Sequence, residues 1–413
     1  MNKKLMAVAV AGALAAPAIA LADTANVQIY GRANLGVDQY SATGATAANG
    51  AGDWKSRTRV FDNSSRLGVT GSEDLGGGLK AVFLMESGVN IDTGGTNGQS
   101  GAANPSSGTL SSRIGHVGLA SSSAGQITFG RSNVWWANYG LEQTAANYVN
   151  TGIPFFSGSF GRGMSVGVAR QSNLVQYTSP TMSGVTAIVS YGTNSEAAAA
   201  AANTGANLVG LTVQGQHGPA GWGFDYTKNT GAAGATTSAA SNTGLKLRGG
   251  WMYAPGGQIS LIYVKTTVDS PSGINLQGAP SGATATAGSY NTVVEGTATS
   301  LSQTAIGVNW EHVVGNVQLL AQVGKVAKIS GCQVSANCDD TTATAYMFGA
   351  RLLMSKRTAA YATYNAITNG TNYNMDYTGG SYTSASGNGV AGLPSGSVGA
   401  DPKIIAVGII HNF

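Results

Sequence analysis

The residues of this chain whose types could do chemistry are few and far apart. His116, His217, His312 and His411 are scattered through 413 residues, with no recognisable Ser, His and Asp arrangement and no paired-carboxylate motif. Gly76-Gly77-Gly78 is followed by no helical pattern, so it reads as a turn and not as a phosphate cradle. Cys332 and Cys338, separated by five residues, predict a local disulfide in an exported chain, and their loop supplies too few ligands for a metal. No enzyme, metal or cofactor is expected. What remains is charge. Arg32 shares alternate positions with Asn26, Gln28, Tyr30 and Asn34, Arg66 with Thr70, and Glu86 with Lys80. Charges on the polar row of a strand attract or exclude ions and can pair across a wall.

The elements that must hold these charges follow from the start of the chain. Met1-Asn2-Lys3-Lys4, an apolar stretch from Leu5 to about Ala16, and Ala20-Leu21-Ala22 before Asp23 have the form of a secretory signal peptide, residues 1–22. Removing Lys3 and Lys4 with it takes the 22 basic residues to 20 against 18 acidic, a net charge of +2. No nucleic-acid partner is implied. Only 10% of residues are charged and 61 are Gly, whereas a soluble domain carries about 25% charge. No apolar run after residue 22 approaches the roughly 20 residues a membrane helix needs. Membrane insertion is then open only to alternating strands.

Alternation is present throughout. Val27, Ile29, Ala33, Leu35 and Val37 fall on one face of a strand and the polar set around Arg32 on the other. Leu79, Ala81, Phe83 and Met85 alternate with Lys80 and Glu86 in the same way. Strands are expected at 24–38, 64–73, 79–92, 111–121, 124–131, 170–179, 184–192, 206–217, 220–228, 243–254, 256–268, 299–311, 314–327, 342–354, 357–368 and 402–413. These sixteen predict an all-β fold, a 16-stranded antiparallel transmembrane β-barrel over 23–413. Short turns alternate with long loops such as 39–63, 93–110, 132–169, 269–298 and 369–401, the periplasmic and extracellular asymmetry of such barrels. Closure satisfies every backbone amide, so the apolar row can meet lipid. Tyr30, Tyr191, Trp222, Trp251, Tyr253, Trp310, Tyr361 and Tyr364 are candidates for interfacial girdles. A lumen of sixteen strands is too wide for side chains to fill and holds water, which implies a channel.

Several stretches, in order along the chain, resemble landmarks of the general porins of beta-proteobacteria, a Gram-negative porin family. They are Ser65-Arg66-Leu67-Gly68-Val69-Thr70-Gly71 running on to Lys80-Ala81 with Glu86 following, Gly125-Gln126-Ile127-Thr128-Phe129-Gly130-Arg131, Asn173-Leu174-Val175-Gln176-Tyr177, Leu353-Met354-Ser355-Lys356-Arg357, and the closing Val407-Gly408-Ile409-Ile410-His411-Asn412-Phe413. The resemblance implies a homotrimer in the Gram-negative outer membrane, among outer-membrane lipids and lipopolysaccharide, passing small ions and solutes by diffusion. It also implies an inward-folded constriction loop, about 132–169, facing wall arginines that favour anions.

The matching arginines are Arg66, Arg113 and Arg170, with Arg131 in the Gly-Arg pair and Glu86 as an ion-pair partner. The lumen assignment of Arg113 rests on the resemblance, because it shares parity with Val117 and Leu119. Within the loop only Glu142 and Arg162 are charged over the stretches 132–142 and 153–162. Ser132 stands where relatives often carry an acid, so the arginine field should be weakly compensated. Trp135, Trp136, Phe155 and Phe156 either pack this loop or offer an apolar surface. The second use would suit a substrate-specific channel for small organic anions or aromatic solutes. The terminal Phe413 resembles the signal read by the barrel assembly machinery, and Ile410 occupies an inward position that is often basic in the family.

Overall fold

The computed structural model describes residues 26–46, 53–92, 95–97, 110–134, 160, 164, 170–193, 207–230, 241–269, 274–275, 294–295, 300–332, 335–377 and 398–413. The expected signal peptide lies outside them. The strands are β1 (Asn26–Thr43), β2 (Trp54–Asp62), β3 (Arg66–Gly76), β4 (Leu79–Asn90), β5 (Gly95–Asn97), β6 (Ile114–Ser121), β7 (Gly125–Asn133), β8 (Arg170–Thr178), β9 (Val185–Gly192) and β10 (Asn207–His217). They continue as β11 (Ala220–Thr230), β12 (Ser241–Ala254), β13 (Gly257–Asp269), β14 (Ile274–Asn275), β15 (Val294–Glu295), β16 (Leu301–Val314), β17 (Val317–Val326), β18 (Ala343–Leu353), β19 (Thr358–Asn369) and β20 (Asp401–Asn412).

Eighteen of these strands form one antiparallel sheet, and β14 pairs with β15 in a separate small ladder. Two staves are each made of two pieces: β2 and β3 pair with the upper and lower parts of β1, and β5 and β6 with those of β4. Sixteen staves result. The barrel closes where β20 pairs with β1, from Arg32 opposite Asn412 to Thr43 opposite Asp401. Closure leaves no free edge, the condition for crossing lipid with strands.

All sixteen expected strands are present; the short β5, β14 and β15 fall within the expected loops 93–110 and 269–298, and two larger differences stand out. In place of a loop over 39–63, β1 runs on to Thr43 and β2 pairs with it as a hairpin extension. Trp54-Lys55-Ser56-Arg57-Thr58-Arg59 has no apolar row because it stands beyond the apolar band, where neither face needs to be greasy. The second difference concerns Tyr30 and Tyr361, which are lumen residues and not girdle residues. The Tyr30 hydroxyl donates to Glu86 Oε2 (3.0 Å) and that of Tyr361 to Asn34 Oδ1 (2.8 Å). Tyr191, Trp222, Trp251 and Tyr253 do face outward.

The two faces of β20 illustrate the wall. Ile405, Val407, Ile409 and Phe413 are exposed outward, Val407 at 56%, while Ile404, Ala406 and Ile410 are buried inward, Ile404 at 0%. Ile409 lies opposite Leu35 on β1 and Ala360 on β19, midway along the outward row from Ile405 to Phe413. Replacing Ile409 by Arg should therefore destabilise the barrel by about 2–4 kcal/mol, the cost of a cation on the lipid face near the midplane. Urea unfolding in lipid vesicles would measure it, and a loss under about 1 kcal/mol would mean that this row does not face hydrocarbon.

The apolar core is inside the barrel, on one side. Ile262 and Val264 of β13, Leu320 of β17, Met347 of β18, Ile367 of β19 and Ile404 of β20 belong to one buried cluster. Phe160 and Met164, the two described residues between 135 and 169, are buried in the same cluster.

Candidate functional site

The opposite part of the wall carries charge. On β4, Met85 faces out and Glu86 is buried on the inward row. Gly68 of β3 lies directly across from Glu86. The ring of Tyr30 covers Gly68 so closely that a Cβ there would collide with it, and this lets the Tyr30 hydroxyl reach the carboxylate. Arg66, at the start of β3, places Nε 3.6 Å from Glu86 Oε2. Arg113 places Nε 2.7 Å from Glu86 Oε1. Glu86 thus accepts hydrogen bonds from one guanidinium group and a phenol and forms an ion pair with a second guanidinium, which ties all three side chains to one carboxylate.

The parity conflict at Arg113 is resolved by the chain ahead of β6. The strand begins only at Ile114, Ser111 has a φ of 71°, and the Arg113 amide donates to the Glu86 carbonyl at 3.0 Å. This turn releases Arg113 from the alternation that sends Val117 and Leu119 outward. A related device acts on β7, where the register shifts between Gly130 and Ser132 and Gly130 has a φ of 138°. Arg131 donates from Nε to the Ser112 carbonyl (3.1 Å) and from a terminal nitrogen to Ser172 Oγ (2.9 Å). Ser132 donates to Gln176 Oε1 at 3.3 Å. Arg170 starts β8 opposite Asn133, buried, and close enough to Arg113, Glu86, Arg131 and Arg66 to feel their charges. Among the described residues, four arginines therefore gather with one carboxylate.

Arg32 is directly across β1–β3 from Arg66 and donates to Asn412 Oδ1 at 3.2 Å, near the end of β20. Glu142, Trp135, Trp136, Phe155 and Phe156, with most of 132–169, lie outside the described residues. Cys332 and Cys338 are disulfide-bonded, with Cα atoms 5.9 Å apart. Phe413 closes the chain on β1: its amide donates to the Gly31 carbonyl (3.1 Å), and its carbonyl accepts the Gly31 amide (2.9 Å).

A second charged group had no counterpart in the sequence reading. Asp225 of β11 is fully buried; its Oδ2 lies 3.0 Å from Arg248 Nε and 3.5 Å from Lys246 Nζ, and its Oδ1 accepts from Thr212 Oγ1 at 2.7 Å. Arg248 also donates to Gln214 Oε1 at 3.0 Å. Gly223, across from Arg248, provides the bare backbone over which the guanidinium lies. The available signal was alternation on β12, where Lys246 and Arg248 interleave with Leu245 and Leu247.

The chain's likeness to known proteins agrees with this architecture. It is 32% identical over 199 residues to an outer membrane porin protein of Bordetella pertussis, covering 45% of this chain and 46% of that one. To the major outer membrane protein P.IA of Neisseria meningitidis serogroup B it is 38% identical over 111 residues, 23% of this chain and 27% of that one. The chain thus spans about half the length, or less, of the curated relatives it matches. Among solved structures, an anion-selective porin from Comamonas acidovorans superposes with a TM-score of 0.63 at 20% identity, covering 94% of this chain and 100% of that one. OmpT of Vibrio cholerae in a trimer form superposes with a TM-score of 0.58 at 15% identity, covering 95% and 100%. These last two likenesses carry the fold alone. The family model described as Gram-negative porin matches residues 7–372, and the chain, a closed sixteen-stave barrel, belongs to the Gram-negative porin family, in the outer membrane.

Proposed function

We propose that the barrel is a passive, water-filled channel for small hydrophilic solutes and ions with a weak preference for anions. The observation that carries this reading is the gathering, among the described residues, of Arg66, Arg113, Arg131 and Arg170 around Glu86 on the inner wall. Fixed charges between low-dielectric walls focus a field into the lumen and raise the local concentration of counter-ions. The second group, Lys246 and Arg248 around Asp225, adds to the same sign. The segment 132–169 is the constriction loop in this reading, and the burial of Phe160 and Met164 among inward-facing wall residues supports its inward path.

The test is the reversal potential of single channels under a salt gradient. Arg66→Ala, Arg113→Ala and Arg170→Ala should each shift it towards the non-selective value. Unchanged selectivity in all three would remove these arginines from the mechanism. If the channel instead recognises a particular small organic anion or aromatic solute, that solute should block the current at low concentration. A general pore scales simply with salt.

Cleavage after Ala22, assembly as a homotrimer and recognition of Phe413 by the barrel assembly machinery complete the reading. Heat-labile high-mass bands in detergent electrophoresis would report the trimer. Their absence under mild detergent would count against it.

A further inference from the structure

The chain does not leave the barrel after β19. It turns at Gly370–Asn372 and returns along the inner wall, with Tyr373, Met375 and Tyr377 exposed by only 0%, 1% and 1%. Tyr373 donates its hydroxyl to Gln303 Oε1 (2.9 Å) on β16, three staves from β19 through β18 and β17. On the other side Tyr40 of β1, two staves away through β20, donates to Asp376 Oδ1 at 3.3 Å. Between these ends Asn369 donates from Nδ2 to the Met375 carbonyl (2.9 Å) and accepts the Met375 amide on Oδ1 (3.0 Å). The segment therefore runs from the β16 side to the β1 side.

It runs inside. Tyr373, Met375 and Tyr377 share a buried cluster with Ala345, Met347, Ile367 and Ile404, whose strand neighbours Phe348 and Ile405 are exposed outward. An inner wall this apolar would be unfavourable against water, at about 25 cal/mol for each Å² left uncovered. Two tyrosines and a methionine cover it; the Tyr373 hydroxyl finds a polar wall partner, whereas the buried Tyr377 hydroxyl has none among the described residues.

The base of the segment is clamped from outside the apolar belt. Thr371 donates from its amide and its Oγ1 to Asp340 Oδ2, both at 2.6 Å, and Asn372 donates from Nδ2 to the Asp339 carbonyl at 2.9 Å. Asp339 and Asp340 directly follow Cys338, the end of the disulfide loop, and Thr341 caps that loop by donating to the Cys338 carbonyl at 2.6 Å. Thr46, beyond β1, donates from Oγ1 to the Thr371 carbonyl at 2.7 Å. The disulfide loop after β17, the end of β1 and the segment after β19 thus form one collar.

We propose that residues 370–377 are a second inward-folded constriction element, additional to 132–169. Tyr373, Met375 and Tyr377 limit solute size on the extracellular side and confine the water path towards the charged wall. The proposal rests on the channel reading, and its test separates the two. In planar bilayers, the Tyr373→Ser/Met375→Ser/Tyr377→Ser variant should raise single-channel conductance about twofold. It should also admit larger polyethylene glycols than the wild type.

Independently of conduction, Ala345→Cys reports cover of the wall. A small thiol reagent should modify it roughly tenfold more slowly with the segment intact than in the triple variant, because burial makes labelling wait for local opening. A milder variant, Thr371→Val, loosens only the clamp and should speed that labelling without touching the apolar contacts. Equal labelling rates in all backgrounds would overturn the proposal, as would unchanged conductance and size limit in the triple variant. A wild type that labels slowly but does not conduct would overturn the channel reading instead.

Discussion

Replacing Asp225 by Leu should destabilise the folded barrel by about 3–5 kcal/mol, among the largest losses available to a single substitution on this wall. Asp225 is fully buried and stands between Lys246 and Arg248, themselves only 2% and 6% exposed. Deleting the carboxylate leaves two nearby cations without the charge that faces both, and Thr212 without its acceptor. The arrangement itself is not expected to be a large net stabiliser, since desolvating three charged groups offsets most of their attraction. The two statements separate experimentally. Asp225→Leu alone should unfold at markedly lower urea, whereas Asp225→Leu/Lys246→Met/Arg248→Met should recover most of the loss, because well-packed apolar groups often replace buried ion pairs at little cost. A single variant within about 1 kcal/mol of wild type would mean that water reaches these charges.

Glu86→Gln should sharpen anion preference. The side chain keeps its shape, its one amide oxygen can still accept from Arg113 and its amide nitrogen can donate to the Tyr30 hydroxyl oxygen, but the wall loses the negative charge shared by Arg66 and Arg113. A unit charge acting on a permeant ion at about 7 Å, with an effective dielectric between 20 and 80, is worth roughly 0.6–2.4 kcal/mol before salt screening. A change of about 1 kcal/mol is about fivefold in the anion-to-cation permeability ratio. Reversal potentials should therefore move further towards the anion limit in Glu86→Gln, opposite in sign to the arginine variants, and the effect should shrink at high salt. A shift towards cations, or none at low salt, would place Glu86 away from the ion path.

How much of each segment is legible in the sequence depends on what that segment touches. Strands crossing lipid were legible because the outer row must be apolar, and in β20 this produced Ile405, Val407 and Ile409 outward with Ile404 and Ile410 inward. Beyond lipid the constraint disappears. Lys55, Arg57 and Arg59 of β2 therefore looked like a loop, although Arg59 is fixed to Asp38 at 2.9 Å and lies 4.4 Å from the centre of the Tyr40 ring. Inward tyrosines were equally deceptive. Tyr361 near a strand end looks like an interfacial residue until its hydroxyl is found on Asn34.

Period-two patterning and the short-turn, long-loop alternation determined the class, the strand count and the outward row, because a membrane imposes those features on every stave separately. Arg66 and Glu86 could be placed inward for the same reason. Only the tertiary structure decided which charges meet. The Glu86 group joins β1, β3, β4 and the turn before β6, and the Asp225 group joins β10, β11 and β12, in registers that strand pairing sets. It also decided that one side of the lumen is apolar and covered by the segment after β19. Inward rows are under no single solvent constraint: what a side chain meets there is another part of the same chain, and that is a property of closure and loop path, not of alternation.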